Sequence, residues 1–372
     1  MTADKGLREI IASETKISDI DGQAGKLWYV GYEIADLAEH ASFEEVIYLL
    51  HHTKLPTQVE LDEQNELLVN ERDLNPFLMG MMPTLAQATS PMSMLRTAVS
   101  AASAYDPDGW DETAPAQLRK ALRLIAKTPT LVASYHRMRT RQEVVPPNPK
   151  IAHAANFLWM LHGTEPSPED AAALDTTFTL YADHTTNAST FAARIIASTL
   201  SDMFSAITGA IAALKGPLHG GANEESMRMF QEVGEPARAA AYVAARLARH
   251  EKIYGFGHAV YKTMDPRAGV LKRLSREVGE RASQTRWHEI AEAIEATTFE
   301  QKGLYPNVDF YAASVYHVLG IPTDLMTPIF SLARMVGWTA HVREQYADNK
   351  VIRPGSLYVG PRDQRWVPID ER

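Results

Sequence analysis

Helical patterning runs through most of this chain and constrains its fold more than any other feature. After Ser42, a residue that favours a helix N-terminus, apolar residues recur at helical spacing. Residues 114–141 are rich in good helix formers, with a break or kink predicted at Pro129. Residues 189–214 alternate bulky and small side chains, which predicts one deeply packed helix. That helix could lie within the core or at a subunit interface, and the sequence favours neither.

Extended structure is predicted only near the N-terminus. Residues 16–30 contain two short apolar runs around Asp21-Gly22, which is the pattern of a β-hairpin. The proline-rich residues 146–149 predict a loop. The chain lacks the strand-helix alternation of a doubly wound sheet. We therefore predict an all-α fold, mainly helical, with a short N-terminal β-hairpin.

Composition excludes several classes of protein. The 372 residues include no cysteine, so disulfides, thiolate nucleophiles and thiolate metal sites are excluded. A net charge of −9 argues against a general nucleic-acid binder, whose surface would be basic. The longest apolar run, 203–214, is shorter than the ~20 residues that span a bilayer. The first ten residues lack the apolar segment of a signal peptide. We expect a cytoplasmic protein that binds neither nucleic acid nor membrane.

Three short motifs carry the candidate catalytic residues. His219 lies in Gly-Pro-Leu-His-Gly-Gly after an apolar helix, and His258 lies in Tyr-Gly-Phe-Gly-His. Asp309 follows in Tyr-Pro-Asn-Val-Asp. Glycine allows the backbone to approach a ligand closely. Two histidines and one aspartate, each predicted to be exposed by a turn, suit acid–base chemistry at a carbonyl centre.

Competing chemistries have weaker support. Gly255-Phe-Gly257 begins like a dinucleotide-binding motif, but Val260 stands where the third glycine is required. The chain has no P-loop, no Gly-x-Ser-x-Gly nucleophile motif and no helical metal-ligand pattern. We therefore expect no bound metal.

The motifs around these residues resemble those of the citrate synthase family, and they occur in family order. The resemblance extends from residue 20 to residue 361 and is strongest over 181–361. It is similar to the compact bacterial and archaeal type. It implies a large helical domain, 1–222 with 312–372, that forms the dimer interface and holds oxaloacetate. It also implies a smaller mobile helical domain, 223–311, that binds coenzyme A and closes over the site.

The resemblance implies a Claisen-type condensation of acetyl-CoA with oxaloacetate, a reaction of the tricarboxylic acid cycle. Asp309 would remove a proton from the acetyl methyl group. His219 would stabilise the resulting enolate, and His258 would polarise the ketone of oxaloacetate. Citryl-CoA would then be hydrolysed to citrate and CoA. The implied reaction needs no metal or redox cofactor.

Oxaloacetate binding is implied for one histidine and three arginines. His184 would help to hold the substrate, and Arg267, Arg334 and Arg353 would neutralise its carboxylates. The planar guanidinium suits bidentate binding of a carboxylate. The resemblance implies an obligate homodimer in which Arg353 reaches into the partner's active site.

Coenzyme A binding is implied for the segment that contains Gly255 and Gly257, whose backbone would hold the adenine end. Lys262 would lie near the phosphates as a point charge. Many compact relatives have arginine directly after the histidine of this motif, whereas this chain has Ala259. The number of phosphate contacts is therefore open.

Two other functions remain open at this point. A 2-methylcitrate synthase, which uses propionyl-CoA, would share every motif, and one methylene is worth only about 1–3 kcal/mol. A non-catalytic helical homologue would be expected to lack the base or a histidine, and this chain retains His219, His258 and Asp309. Inhibition by NADH is not expected for the compact type.

Overall fold

The computed structural model describes residues 6–7 and 10–372, and within them it contains sixteen α-helices and one small sheet. The predicted all-α class is confirmed. The first ten helices are α1 Ile34–His40, α2 Phe43–His52, α3 Gln58–Asn70, α4 Pro76–Ala88, α5 Pro91–Ala102, α6 Ala114–Arg139, α7 His153–His162, α8 Pro168–Tyr181, α9 Ala188–Ser198 and α10 Met203–Leu214. The other six are α11 Ala222–Val233, α12 Ala239–Ala248, α13 Pro266–Arg281, α14 Arg286–Lys302, α15 Val308–Val318 and α16 Met326–Ala347.

The predicted hairpin is present as β1 (Ser18–Asp21) and β2 (Lys26–Tyr29), which pair antiparallel. A third strand, β3 (Tyr32–Glu33), extends the sheet in the order β1-β2-β3. Its two residues are too few to show a period-2 pattern, so this strand could not be predicted from its residues.

The turn of the hairpin packs against the loop that carries His258. A Cβ on Gly22 would lie 2.4 Å from the carbonyl oxygen of Val260, and one on Gly25 would lie 2.6 Å from Thr263 Cγ2. The backbone N–H of Lys262 donates to the Gly22 carbonyl at 2.8 Å. Glycine is therefore required at these turn positions, because any side chain would push the two loops apart.

Local sequence signals predicted the start of α2 correctly, but they did not predict that α6 runs through Pro129 without a break. At α2 the side chain of Ser42 accepts from Glu45 N, and Glu45 in turn accepts from Ser42 N, which forms a capping box. Pro129 lies inside α6, which continues to residue 139, so a break is wrong and the alternative, a kink, stays a prediction. Proline leaves the carbonyl four residues earlier, that of Ile125, without its helical donor. The hydroxyl of Thr128 donates to that carbonyl at 3.3 Å.

The single helix predicted over 189–214 is wrong, because the segment forms α9 and α10. Leu200 has a left-handed backbone with φ of 63°, and Asp202 then caps α10 by accepting from Ser205 N at 3.0 Å. A Cβ on Gly209 would lie 2.2 Å from Ile196 Cδ1, so the small residue lets the two helices pack closely. This contact favours an intramolecular role, and the predicted subunit interface stays a prediction.

Helix α16 is the central element of the core and positions the site. Most of its residues are buried, including Trp338 and Arg334, and it packs against α6, α8, α9 and α10. Within the described residues no helix is both long and apolar enough to cross a membrane. The division into 1–222 with 312–372 and 223–311 stays a prediction, and its second boundary falls inside α15.

Candidate active site

One cleft of about 790 Å³ brings together most of the predicted site residues from five segments of the chain. These segments are the loop before α9, the turn after α10, the loop before α13 with the first turn of that helix, the start of α15 and the middle of α16. Eight of the ten predicted residues line the cleft: His184, His219, Gly255, Gly257, His258, Arg267, Asp309 and Arg334.

His219 is held as a neutral hydrogen-bond donor. It lies in the turn after α10, where a Cβ on Gly220 would lie 2.4 Å from the carbonyl of Leu214. The backbone N–H of Ser189 donates to Nε2 at 3.2 Å, and Ser189 Oγ lies 2.8 Å from the same nitrogen. Because an amide N–H can only donate, Nε2 carries the lone pair and Nδ1 carries the proton. Burial, reinforced by Arg334, lowers the pKa of His219 to about 4.

His258 is held in the opposite tautomer by the same logic. The backbone N–H groups of Val260 and Tyr261 lie 3.0 and 3.2 Å from its Nδ1. Nδ1 is therefore the acceptor, and Nε2 carries the proton. Burial, reinforced by Arg267, lowers the pKa of His258 to about 4. Each ring can thus donate one N–H at neutral pH without being charged.

His184 completes a cluster of aromatic side chains beside His258. The two imidazole ring centres are 5.1 Å apart, and His184 Nε2 lies 3.3 Å from the hydroxyl of Tyr261. Burial, with Arg267 contributing, holds the pKa of His184 well below its usual range. His184 is thus a neutral polar group next to the arginines of the cleft.

Asp309 is a buried carboxylate in the first turn of α15. Its backbone N–H donates to the side chain of Asn307, the residue that caps the helix, at 3.0 Å. The prediction that a turn exposes Asp309 is wrong, since its exposed fraction is only 8%. Burial raises its pKa to about 6, and a hydrogen bond from Tyr181 and the charge of Arg267 oppose that rise. A carboxylate of this basicity suits proton abstraction near neutral pH.

The two arginines that line the cleft are paired differently. Arg267 forms a bidentate pair with Asp265, through Nε at 2.9 Å and Nη2 at 2.8 Å. Arg334 is buried, and its Nε donates to the carbonyl of Tyr181 at 2.7 Å. Within the described residues Arg334 has no carboxylate at ion-pair distance, and burial lowers its pKa. Asp183 acts on Arg334 only from beyond ion-pair distance. A buried cation that no carboxylate contacts is costly, so the site favours an anionic ligand.

Two predicted residues, Lys262 and Arg353, do not line the cleft. The side chain of Lys262 is exposed. Arg353 is also exposed and follows α16 in a segment without regular structure. An exposed Arg353 is compatible with a role in a neighbouring subunit, and that role stays a prediction.

Sequence reasoning missed two lysines that do line the cleft, Lys252 and Lys302. Lys252 directly precedes the glycine-rich segment, so its position was a usable signal. Lys302 ends α14, and only the tertiary fold brings it to the same opening. The apolar side chains of Leu218 and Phe256 line the same cleft, and Leu218 is 90% exposed.

Comparisons with known proteins show the family to which the chain is similar. A family model described as citrate synthase, C-terminal domain, matches residues 6–355. Citrate synthase from Haloferax volcanii is 48% identical over 99% of this chain and 98% of its own length. 2-Methylcitrate synthase 1 from Corynebacterium glutamicum is 41% identical over 99% of this chain and 98% of its own length.

A solved structure is similar over the whole fold. It is the ternary complex of carboxymethyl coenzyme A and oxaloacetate with citrate synthase from the archaeon Thermoplasma acidophilum. Its TM-score is 0.94 at 34% identity, with all of both chains covered. Similarity therefore extends over both the fold and the full length of the chain.

Proposed function

The chain belongs to the citrate synthase family, and from that premise we propose that it condenses acetyl-CoA with oxaloacetate and hydrolyses citryl-CoA to citrate and CoA. One observation carries the proposal: Asp309, His219 and His258 line a single cleft, with the base made more basic by burial and both imidazoles held neutral. This is the combination that an enolisation followed by a carbonyl addition requires.

The first step is proton abstraction from the acetyl methyl group. Asp309 takes the proton, and the electrons of the broken C–H bond form the enolate and shift charge onto the thioester oxygen. The N–H on Nδ1 of His219 donates to that oxygen and stabilises the charge. Because burial keeps the ring neutral at pH 7, His219 stabilises the oxygen by donating a hydrogen bond and not by supplying a positive charge.

The second step forms the carbon–carbon bond. The nucleophilic carbon of the enolate attacks the ketone carbon of oxaloacetate, and the electrons of the C=O bond move onto the ketone oxygen. The N–H on Nε2 of His258 polarises that oxygen and protonates it as the alkoxide forms. His258 then regains a proton from solvent and Asp309 releases the proton it took, so both residues return to their starting states. Water then cleaves the thioester of citryl-CoA, which releases CoA and citrate. Exclusion of water before the bond forms would prevent wasteful hydrolysis of acetyl-CoA.

Charge complementarity supports the two substrates at different parts of the cleft. The buried guanidinium of Arg334 suits one carboxylate of oxaloacetate, with Arg267 and His184 beside it. Lys252 and Lys302 line the cleft with exposed side chains and suit the phosphates of CoA. Lys262, which is exposed and does not line the cleft, is a further candidate for contact with the phosphates.

The quaternary and cellular parts of the proposal rest on the family alone. We propose a cytoplasmic homodimer in which Arg353 completes the partner's site. We also propose that residues 223–311 move as a smaller domain and close over bound substrates. The proposed reaction uses no metal or redox cofactor.

A second candidate is condensation of propionyl-CoA, as in the relative named 2-methylcitrate synthase 1. The two acyl groups differ by one methylene, which a pocket distinguishes by about 1–3 kcal/mol. Comparing kcat/KM for acetyl-CoA and propionyl-CoA at saturating oxaloacetate distinguishes the two activities. A preference above ten-fold for propionyl-CoA would favour the second candidate.

The direct test is release of the CoA thiol on mixing purified protein, acetyl-CoA and oxaloacetate. Because the chain has no cysteine, a thiol reagent reports only CoA. We expect turnover that needs both substrates and falls about 100-fold or more in Asp309→Asn, the usual scale for loss of a general base. No thiol release with either acyl-CoA would refute the proposed function.

A further inference from the structure

Tyr181 contacts two functional groups of the cleft at once. It is the last residue of α8 and is fully buried. Its hydroxyl donates to Asp309 Oδ1 at 2.9 Å, and its carbonyl accepts from Arg334 Nε at 2.7 Å. The ring packs edge-on against Phe330, with ring centres 4.6 Å apart, so the hydroxyl is held in place by packing.

We propose that Tyr181 is a positioning residue that holds Asp309 ionised, with Oδ2 left free to take the substrate proton. The inference rests on the proposed function, because it assigns Asp309 as the base. Oδ1 is occupied by the Tyr181 hydroxyl, whereas Oδ2 makes no hydrogen bond within the described residues. The carboxylate is therefore fixed at one oxygen and available at the other.

The hydroxyl of Tyr181 has a second acceptor that suits the protonated state of the base. The carbonyl of Val308 lies 3.2 Å from the same hydroxyl oxygen. While Asp309 is charged, the single hydrogen favours Oδ1, because a hydrogen bond to an ionised acceptor is stronger. When the substrate C–H bond breaks and its proton moves to Oδ2, that preference weakens. The hydroxyl can then turn toward Val308 without movement of heavy atoms.

Other charged and titratable groups around Asp309 come from three elements. Arg267 and Asp265 face it from the start of α13, and Arg334 faces it from α16. On its own helix, Tyr316 is buried nearby, and its hydroxyl has no hydrogen-bond partner in the described residues. Burial raises the pKa of Asp309, and the bond from Tyr181 is the largest influence that lowers it. Loss of that bond should raise the pKa further.

The test compares Tyr181→Phe with Tyr316→Phe, which is a matched loss of one buried hydroxyl. The ring centres of the two tyrosines are 6.5 Å apart. The measurement is kcat/KM for acetyl-CoA against pH at saturating oxaloacetate. In Tyr181→Phe we expect the acidic limb to move about one unit to higher pH, the scale of one hydrogen bond to a charged group. The KM for oxaloacetate should be unchanged, because the backbone carbonyl of residue 181 still accepts from Arg334. In Tyr316→Phe the limb should not move.

An unmoved limb in Tyr181→Phe, or an equal shift in Tyr316→Phe, would overturn the inference. Should Tyr181→Phe fail to fold, 3-fluorotyrosine incorporated at position 181 keeps the hydroxyl and makes it a stronger donor. The limb should then move to lower pH, and a shift to higher pH or none would overturn the inference. Wild-type protein inactive with both acyl-CoA substrates would refute the proposed function itself, whereas an active wild type with unmoved limbs refutes only the role of Tyr181.

Discussion

Asp309→Asn should stabilise the substrate-free protein while it lowers turnover about 100-fold or more. Burial raises the pKa of Asp309 from 3.8 to about 6. One pKa unit corresponds to about 1.4 kcal/mol, so ionising this carboxyl costs the folded state about 3 kcal/mol at neutral pH. Asparagine has nearly the same shape, can still accept from Tyr181 and never ionises. We expect a gain of about 1–3 kcal/mol in the free energy of unfolding at pH 8.

The sign of the pH dependence is fixed by the raised pKa. Stability from this group is complete below pH 3.8 and is lost as the pH rises through about 6. The gain from Asp309→Asn should therefore shrink on acidification, to about half at pH 5. Urea unfolding of both proteins at pH 5 and pH 8 measures the difference, and shared contributions from other groups cancel.

A second buried aspartate supplies a control of opposite sign. Asp183 is fully buried, but its pKa is held below the usual range because His341 and Arg334 outweigh the effect of burial. Asp183→Asn should therefore destabilise the protein at pH 8. The reasoning is refuted if Asp309→Asn is destabilised at both pH values, or if its gain is the same at pH 5 and pH 8.

Three further experiments test the hairpin turn, the base and the proposed dimer. Gly22→Ala should raise the KM for oxaloacetate by displacing the His258 loop, whereas Gly80→Ala, where a Cβ meets open space, should leave steady-state kinetics unchanged. Wild-type kcat/KM should fall below about pH 6 as Asp309 protonates, and a limb near pH 7 or above would point to a different group. Refolding Asp309→Ala together with Arg353→Ala should restore about a quarter of wild-type activity if Arg353 acts across a two-fold interface. No recovery would place Arg353 in its own subunit.

The features that could be predicted from the sequence are those formed by residues close to one another along the chain. The capping box at Ser42, the hairpin around Gly22 and the glycine-flanked turn at His219 each depend on contacts within a few residues. The local signal at Pro129 was misleading, because a neighbouring hydroxyl replaces the hydrogen bond that proline cannot donate. The hydroxyl of Thr128 lets α6 continue through Pro129.

The sequence alone determined the helical class, the candidate residues and, through family resemblance, their expected roles. Only the tertiary structure decided their chemical state. Ser189 selects the tautomer of His219 from 30 residues away, and Tyr181 reaches Asp309 across 128 residues. Burial, which sets the pKa of each of these groups, depends on helices packed from the whole chain. Helical periodicity reports which face of a segment is apolar, but not which distant side chain will lie against it.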